Sequence, residues 1–148
     1  MAELTPKECL NRFLELLRQT DLAYVKLLRR WNISLNSTWA LEYLRQHPEG
    51  VEPAVLAETT RMLRQTVTVV LNDLEDRGFI RREFHPTDRR RKLVRLTPEG
   101  EAFAAEMLNA IEKVEVGSFA AMTPHERRML LELAGRFHDS ILNASQEA

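Results

Sequence analysis

Residues 64–100 read RQTVTVVLNDLEDRGFIRREFHPTDRRRKLVRLTPEG, and the fold turns on this stretch. Its period changes midway. Val67, Val70, Leu71 and Leu74 recur at helical spacing, and Gly78 follows as a stop. The spacing predicts a helix over 64–77 whose other face holds Gln65, Thr68, Val69, Asn72 and Asp76. From 79 the pattern alternates. Ile80 and Phe84 alternate with charged residues in 79–85, and Val94 and Leu96 flank Arg95 in 92–97, which predicts a pair of strands. Between them lies His85-Pro86-Thr87-Asp88-Arg89-Arg90-Arg91, rich in turn formers and in positive charge.

Outside this stretch the chain reads as helices. Thr5-Pro6-Lys7-Glu8 and Thr123-Pro124-His125-Glu126 both carry a capping threonine, a proline fit for the first turn and a glutamate that can reach back. Thr97-Pro98 offers a third start. A first helix is expected over 6–31, striped by Leu10, Leu14, Leu17, Tyr24, Leu28 and Trp31. A second is expected over 37–46, capped by Asn36 and ended by His47-Pro48-Glu49-Gly50. A short one follows over 53–60. Two more are expected over 98–116 and 124–144, separated at Gly117 and Ser118; the last is striped by Leu130, Leu133, Phe137 and Ile141.

The order is helix, helix, short helix, helix, strand, basic loop, strand, and two helices. It predicts a mainly α (α+β) fold: one domain over 1–148, a winged helix-turn-helix over 37–97, and flanking helices over 6–31 and 98–145. A chain of 148 residues is long enough for one real core. Its 21 basic and 22 acidic side chains leave a net charge of −1, which speaks against a uniformly basic nucleic-acid binder. The average conceals blocks. Residues 77–97 carry eight basic side chains against Glu83 and Asp88, a net of +6, with acidic segments on either side.

That arrangement suits duplex DNA. A helix with a polar, non-acidic N-terminal face fits a major groove, and a basic loop between strands can follow a backbone or enter a minor groove. Arg64, Gln65 and Asn72 suit base edges or phosphates, while Thr66 and Thr68 are short enough for close approach. The four histidines are scattered, so neither a metal site nor a cofactor is expected. No nucleophile stands beside a base and an orienting acid, and the chain does not read as an enzyme. Cys9 is the single cysteine and excludes an internal disulfide. No apolar run approaches a membrane span, and no signal-peptide core opens the chain, so a cytoplasmic location is expected.

The fragments TVTVVLNDLEDRGFIRR and DRRRKLVRLTPEG resemble the recognition helix and wing of the MarR family of bacterial transcription regulators. The most specific features are Asp88-x-Arg90 and Leu96-Thr97-x-x-Gly100. The resemblance implies a homodimer whose first and last helices pack across a twofold axis. It implies a near-palindromic operator on double-stranded DNA, and a repressor released by a small aromatic or lipophilic effector. It assigns DNA contacts to Arg64, Gln65, Thr66, Thr68 and Asn72, and in the wing to Asp88, Arg89, Arg90 and Arg91. Arg90 would enter the minor groove and Asp88 would orient the basic side chains beside it. The implied effector pocket would be lined by Tyr24, Leu28, Trp31, Trp39 and Tyr43.

Two positions depart from the family's pattern. Arg61 and Leu63 stand where a glycine and a capping serine are usual, so the turn before the recognition helix is expected to differ. Val69 stands where an arginine is common and favours a thymine methyl. Two other readings stand beside this one: a winged-helix protein-interaction module that binds no DNA, and a redox-responsive regulator using Cys9.

Overall fold

The computed structural model describes residues 3–147. The elements are α1 (Pro6–Leu28) with a 3-10 turn at Arg29–Trp31, α2 (Leu35–Gln46), α3 (Pro53–Thr60), α4 (Arg64–Asp76), β1 (Ile80–Phe84), β2 (Lys92–Leu96), α5 (Pro98–Ala120) and α6 (Pro124–Glu147). The expected order is present, and the fold is mainly helical with one two-stranded sheet. The chain up to Leu108 forms one compact unit, and the chain from Asn109 onward forms another.

The threonine starts behave as their chemistry dictates. Thr5 Oγ1 accepts the Glu8 N–H at 3.3 Å, and the Glu8 carboxylate accepts the Thr5 N–H at 2.9 Å. Thr123 and Glu126 repeat the exchange at 3.3 and 2.7 Å. The threonine N–H and hydroxyl hold both glutamate carboxyls below the usual range.

Several boundaries differ from the expectation; α6, expected to end at 144, runs to Glu147. α1 ends at Leu28, not 31, because the chain tightens and then turns at Asn32 with φ 50°. The Arg77 guanidinium holds that turn by donating to the Trp31 and Asn32 carbonyls at 3.0 and 2.9 Å. α2 starts at Leu35, capped by Ser34 rather than Asn36; Ser34 Oγ accepts the Ser37 N–H at 3.0 Å. α5 runs on through Gly117 and Ser118 to Ala120. Glycine is tolerated inside a helix at a modest cost, and Ser118 Oγ returns its hydrogen bond to the Val114 carbonyl at 2.8 Å. The break comes just before Thr123, where the capping box restarts a helix.

β1 and β2 pair antiparallel, with Ile80 opposite Leu96 and Phe84 opposite Lys92. Val51 adds a bridge to Val94, with N–H···O distances of 3.0 and 2.8 Å. Leu41, Leu44, Leu56, Leu71, Leu74, Val94 and Met107 are fully buried and form the centre of the first unit's core. The face of α4 read as apolar (Val67, Val70, Leu71, Leu74) is the buried one.

The Leu-Thr-x-x-Gly motif has a mechanical role. The Thr97 N–H donates to the Phe79 carbonyl at 3.0 Å, and Thr97 Oγ1 donates to the Gly78 carbonyl at 2.6 Å. The same hydroxyl accepts the Gly100 N–H at 3.0 Å. This clasps the start of α5 to the turn between α4 and β1. The Phe79 carbonyl lies so close that a Cβ on Gly100 would sit 1.9 Å from its oxygen. Stacking of Phe79 on Phe103, with centroids 4.2 Å apart, closes the same junction.

Two glycine substitutions should therefore have opposite signs. Gly100→Ala meets backbone and is expected to destabilise by about 1–3 kcal/mol or more. A Cβ on Gly117 meets nothing within 4 Å, and Gly117→Ala should stabilise by roughly 0.5–1 kcal/mol through helix propensity. Urea unfolding monitored by circular dichroism checks both; equal effects would undo the clasp.

Candidate nucleic-acid interface

α4 begins without a side-chain cap. Leu63 at its N-cap is 75% exposed and offers no acceptor. Arg61 takes the left-handed conformation, φ 59°, at the place where the family's pattern has glycine. The first helical N–H groups of α4 are thus left for water or a ligand. The exposed face carries Arg64, Gln65, Thr68, Val69 and Asn72, while Thr66 is half-buried at its edge. Thr68 Oγ1 donates back to the Arg64 carbonyl at 3.0 Å, which engages its hydroxyl hydrogen within the helix. Val69 is 69% exposed, an apolar point on an otherwise polar face.

The loop between β1 and β2 is an ordered tip. The His85 N–H donates to the Arg91 carbonyl and the Arg91 N–H to the Asp88 carbonyl, both at 3.0 Å. Asp88 Oδ1 accepts the Arg90 N–H at 3.0 Å and the Arg90 Nε at 3.3 Å. Asp88 therefore orients Arg90 while leaving it 93% exposed. Arg91 turns the other way. Its Nε donates to Glu52 at 2.9 Å, and its Nη2 closes a second bond to the same carboxylate. The Arg91 guanidinium holds the Glu52 carboxyl below the usual range. Arg89 is exposed, and Lys92 Nζ lies over the Phe84 ring at 5.9 Å.

The block charge of 77–97 is thus sorted by partners that the linear count could not assign. Arg77 is spent on the turn after α1 and lies over Phe79 at 4.9 Å. Arg81 and Arg95 face each other across the strands, an unfavourable pairing of like charge. Glu83 lies between them, at 2.6 and 3.1 Å from their Nε atoms. Arg95 Nη1 also donates to the Pro48 carbonyl at 2.9 Å. Arg82 donates to Glu75 at 2.6 Å and to Asn72 at 2.7 Å. Charge without a close carboxylate concentrates at Arg89 and Lys92, with Arg90 tethered but extended.

Of the five residues expected to line an effector pocket, Trp39 and Tyr43 lie on a common cleft. Leu28 and Trp31 belong to the core, and Trp31 Nε1 donates to Glu106 at 3.3 Å. Trp39, 43% exposed, shares a shallow cleft of about 250 Å³ with Tyr43. Tyr24 is half-buried on α1. A larger cleft of about 740 Å³ opens instead among α1, α2 and α4, lined by Val25, Arg29, Ile33, Ser37, Val69 and Arg77. Cys9 is exposed on α1, with Sγ 3.9 Å from the Leu4 carbonyl. Among the described residues no group of three histidine, cysteine or acidic side chains could hold a metal, and no helix is long and apolar enough to cross a membrane.

A helix pair whose second member presents a polar face, followed by a hairpin with a charged tip, defines a winged helix-turn-helix protein. Residues 31–91 match the MarR family model. It is 31% identical over 84 residues to the transcriptional regulator HosA of Escherichia coli O111:H-, covering 57% of this chain and 62% of that one. The chain thus spans about six tenths of the length of the curated relatives it matches. A probable transcriptional regulator from Pseudomonas aeruginosa is 29% identical with a TM-score of 0.68, over 82% of this chain and 93% of that one. The MepR–DNA complex of S. aureus shares the fold, with a TM-score of 0.79 at 19% identity over 93% of this chain and 99% of that one.

The Glu52–Arg91 pair should anchor the wing tip in a pH-dependent way. A carboxyl held below its ordinary value contributes order above that value, about 4.3 for glutamate, and loses it as pH falls through the lowered one. The protection of the Arg91 amide, its exchange rate taken relative to that of an unstructured peptide at the same pH, should be flat from neutral pH to about pH 5 and fall only below the ordinary glutamate value. Glu52→Gln should lower that protection throughout. Unchanged protection in that variant would remove the anchor.

Proposed function

We propose that the chain is a sequence-specific DNA-binding transcription regulator, a homodimeric repressor released from its operator by a small molecule. The observation that carries this reading is the pairing of an exposed polar face on α4 with a wing tip that presents Arg90 on an Asp88 tether. The face would lie in a major groove, with Gln65 and Thr68 near base edges and Arg64 and Thr66 toward the backbone. Arg90, with Arg89 beside it, would reach into the adjacent minor groove. Arg91 supports the tip through Glu52 rather than meeting DNA itself. Asp73 and Asp76 on the last turns of α4 keep the contact to the residues up to Asn72.

Dimerisation is supported by apolar residues left uncovered in each unit. Leu10, Leu14, Leu17 and Leu22 are 38–60% exposed on α1. Leu130, Leu133, Phe137 and Ile141 are 42–57% exposed on α6. A second copy would cover such surfaces, and twofold symmetry then requires a near-palindromic operator. The effector would occupy the α1–α2–α4 cleft, whose wall includes Val69 of the recognition helix. A ligand there would favour a conformer unable to seat α4, and a useful switch needs roughly 1–3 kcal/mol of such coupling.

Selection of bound genomic fragments at low salt tests the reading. The wild-type chain should retain fragments, Arg90→Ala should lose most of the affinity, and Gln65→Ala should shift the selected sequence. Retention of no fragment by the wild type would favour the protein-interaction module instead. Light scattering should give twice 17.2 kDa, and a clean monomer would contradict the symmetry. Compounds that release the retained DNA should lose that effect on Val25→Trp, which fills the cleft; an intact response would place the effector elsewhere.

A further inference from the structure

Asn72 sits in the exposed face of α4, one helical turn beyond Thr68. Its side chain is not free to choose an orientation. Arg82, reaching across from β1, donates Nη2 to Asn72 Oδ1 at 2.7 Å and Nη1 to Glu75 Oε2 at 2.6 Å. A guanidinium has donors and no acceptor, so only the carbonyl edge of the amide can face it. Glu75 holds the other arm of the fork, and the Arg82 side chain is only 25% exposed. The amide is planar. With Oδ1 turned toward β1, its NH2 group is the edge left for a groove.

We propose that Arg82 sets the base preference of Asn72 by fixing its amide as a donor. This rests on the reading that the chain binds DNA through α4. An unrestrained asparagine reads adenine with two bonds, accepting from N6 and donating to N7. Here the acceptor is engaged, and the nearby cation repels the adenine amino group. What remains is donation to an acceptor: O6 and N7 of guanine, or O4 of thymine. Guanine presents two acceptors together and complements the Arg82 charge best. Arg82 is thus a positioning residue, and Asn72 the residue that touches the base.

The test is selection from a pool of random duplexes with the full chain. Asn72→Ala identifies the operator position that Asn72 reads, as the position whose preference collapses. The wild type should favour guanine, then thymine, at that position by about fivefold or more. Arg82→Met should admit adenine there while other positions stay unchanged. Arg82→Lys, which can still donate to Oδ1, should restore the wild-type preference. A brace that serves stability alone would lower the melting temperature without moving any base preference. The proposal is overturned if the wild type selects adenine at the position, if Asn72→Ala changes no position, or if Arg82→Met and wild type select alike. Should the wild type retain no duplex at low salt, the DNA-binding reading itself fails and takes this one with it.

Discussion

The close approach of Gly100 to the Phe79 carbonyl is the constraint on which the geometry of α4 and the wing depends. Nothing larger than hydrogen fits between them. Thr97 then joins three segments with one residue: it donates to the Gly78 carbonyl, accepts from Gly100, and donates its own N–H to Phe79. The end of α4, the first residue before β1 and the start of α5 are thereby fixed to one another. The wing leaves this junction through β1 and returns through β2, so its register follows from it. Gly78, with φ 75°, supplies the reversal that lets α4 pass into β1 at all.

From that junction the polar chemistry is arranged by neutralising most of the positive charge. Arg77, Arg81, Arg82 and Arg95 stay near the body of the winged unit, each with a carboxylate or a carbonyl close by. These pairs are part-exposed, their carboxylates more so than most of their guanidinium groups, and their effect on stability is modest. Their effect is geometric. They fix side chains that would otherwise sample the surface, and they withdraw charge from places where phosphates would be met indiscriminately. Charge is left at the tip, where Asp88 aims Arg90 outward. A near-neutral chain can then bear a local cationic point without becoming adhesive to every polyanion.

Much of this was legible in the sequence because it rests on local rules. Apolar spacing at Val67, Val70, Leu71 and Leu74 located α4 and its buried face. Alternation around Ile80 and Val94 located the strands, and Asp88-x-Arg90 foretold the tether. The illegible parts depend on contacts between distant residues. The link of Arg91 to Glu52 spans 39 positions, and that of Arg77 to Asn32 spans 45. No spacing rule reaches so far, so eight basic residues counted alike although their surroundings differ. Arg82 did not stand out as a site residue for the same reason: its partner Asn72 lies on another element. Gly117 and Ser118 looked like a break, but a helix long enough to be held elsewhere carries both.

The central claim is that phosphates are met at the wing tip and not along the whole basic segment. The salt dependence of duplex binding tests it most directly, measured for the wild type, Arg90→Ala and Arg95→Met on the same selected operator. The account predicts that Arg90→Ala flattens the slope of log affinity against log salt by about 0.9 for each phosphate it ceases to neutralise. Arg95→Met should leave the slope unchanged. Equal slopes for the wild type and Arg90→Ala, or a slope flattened by Arg95→Met instead, would contradict it.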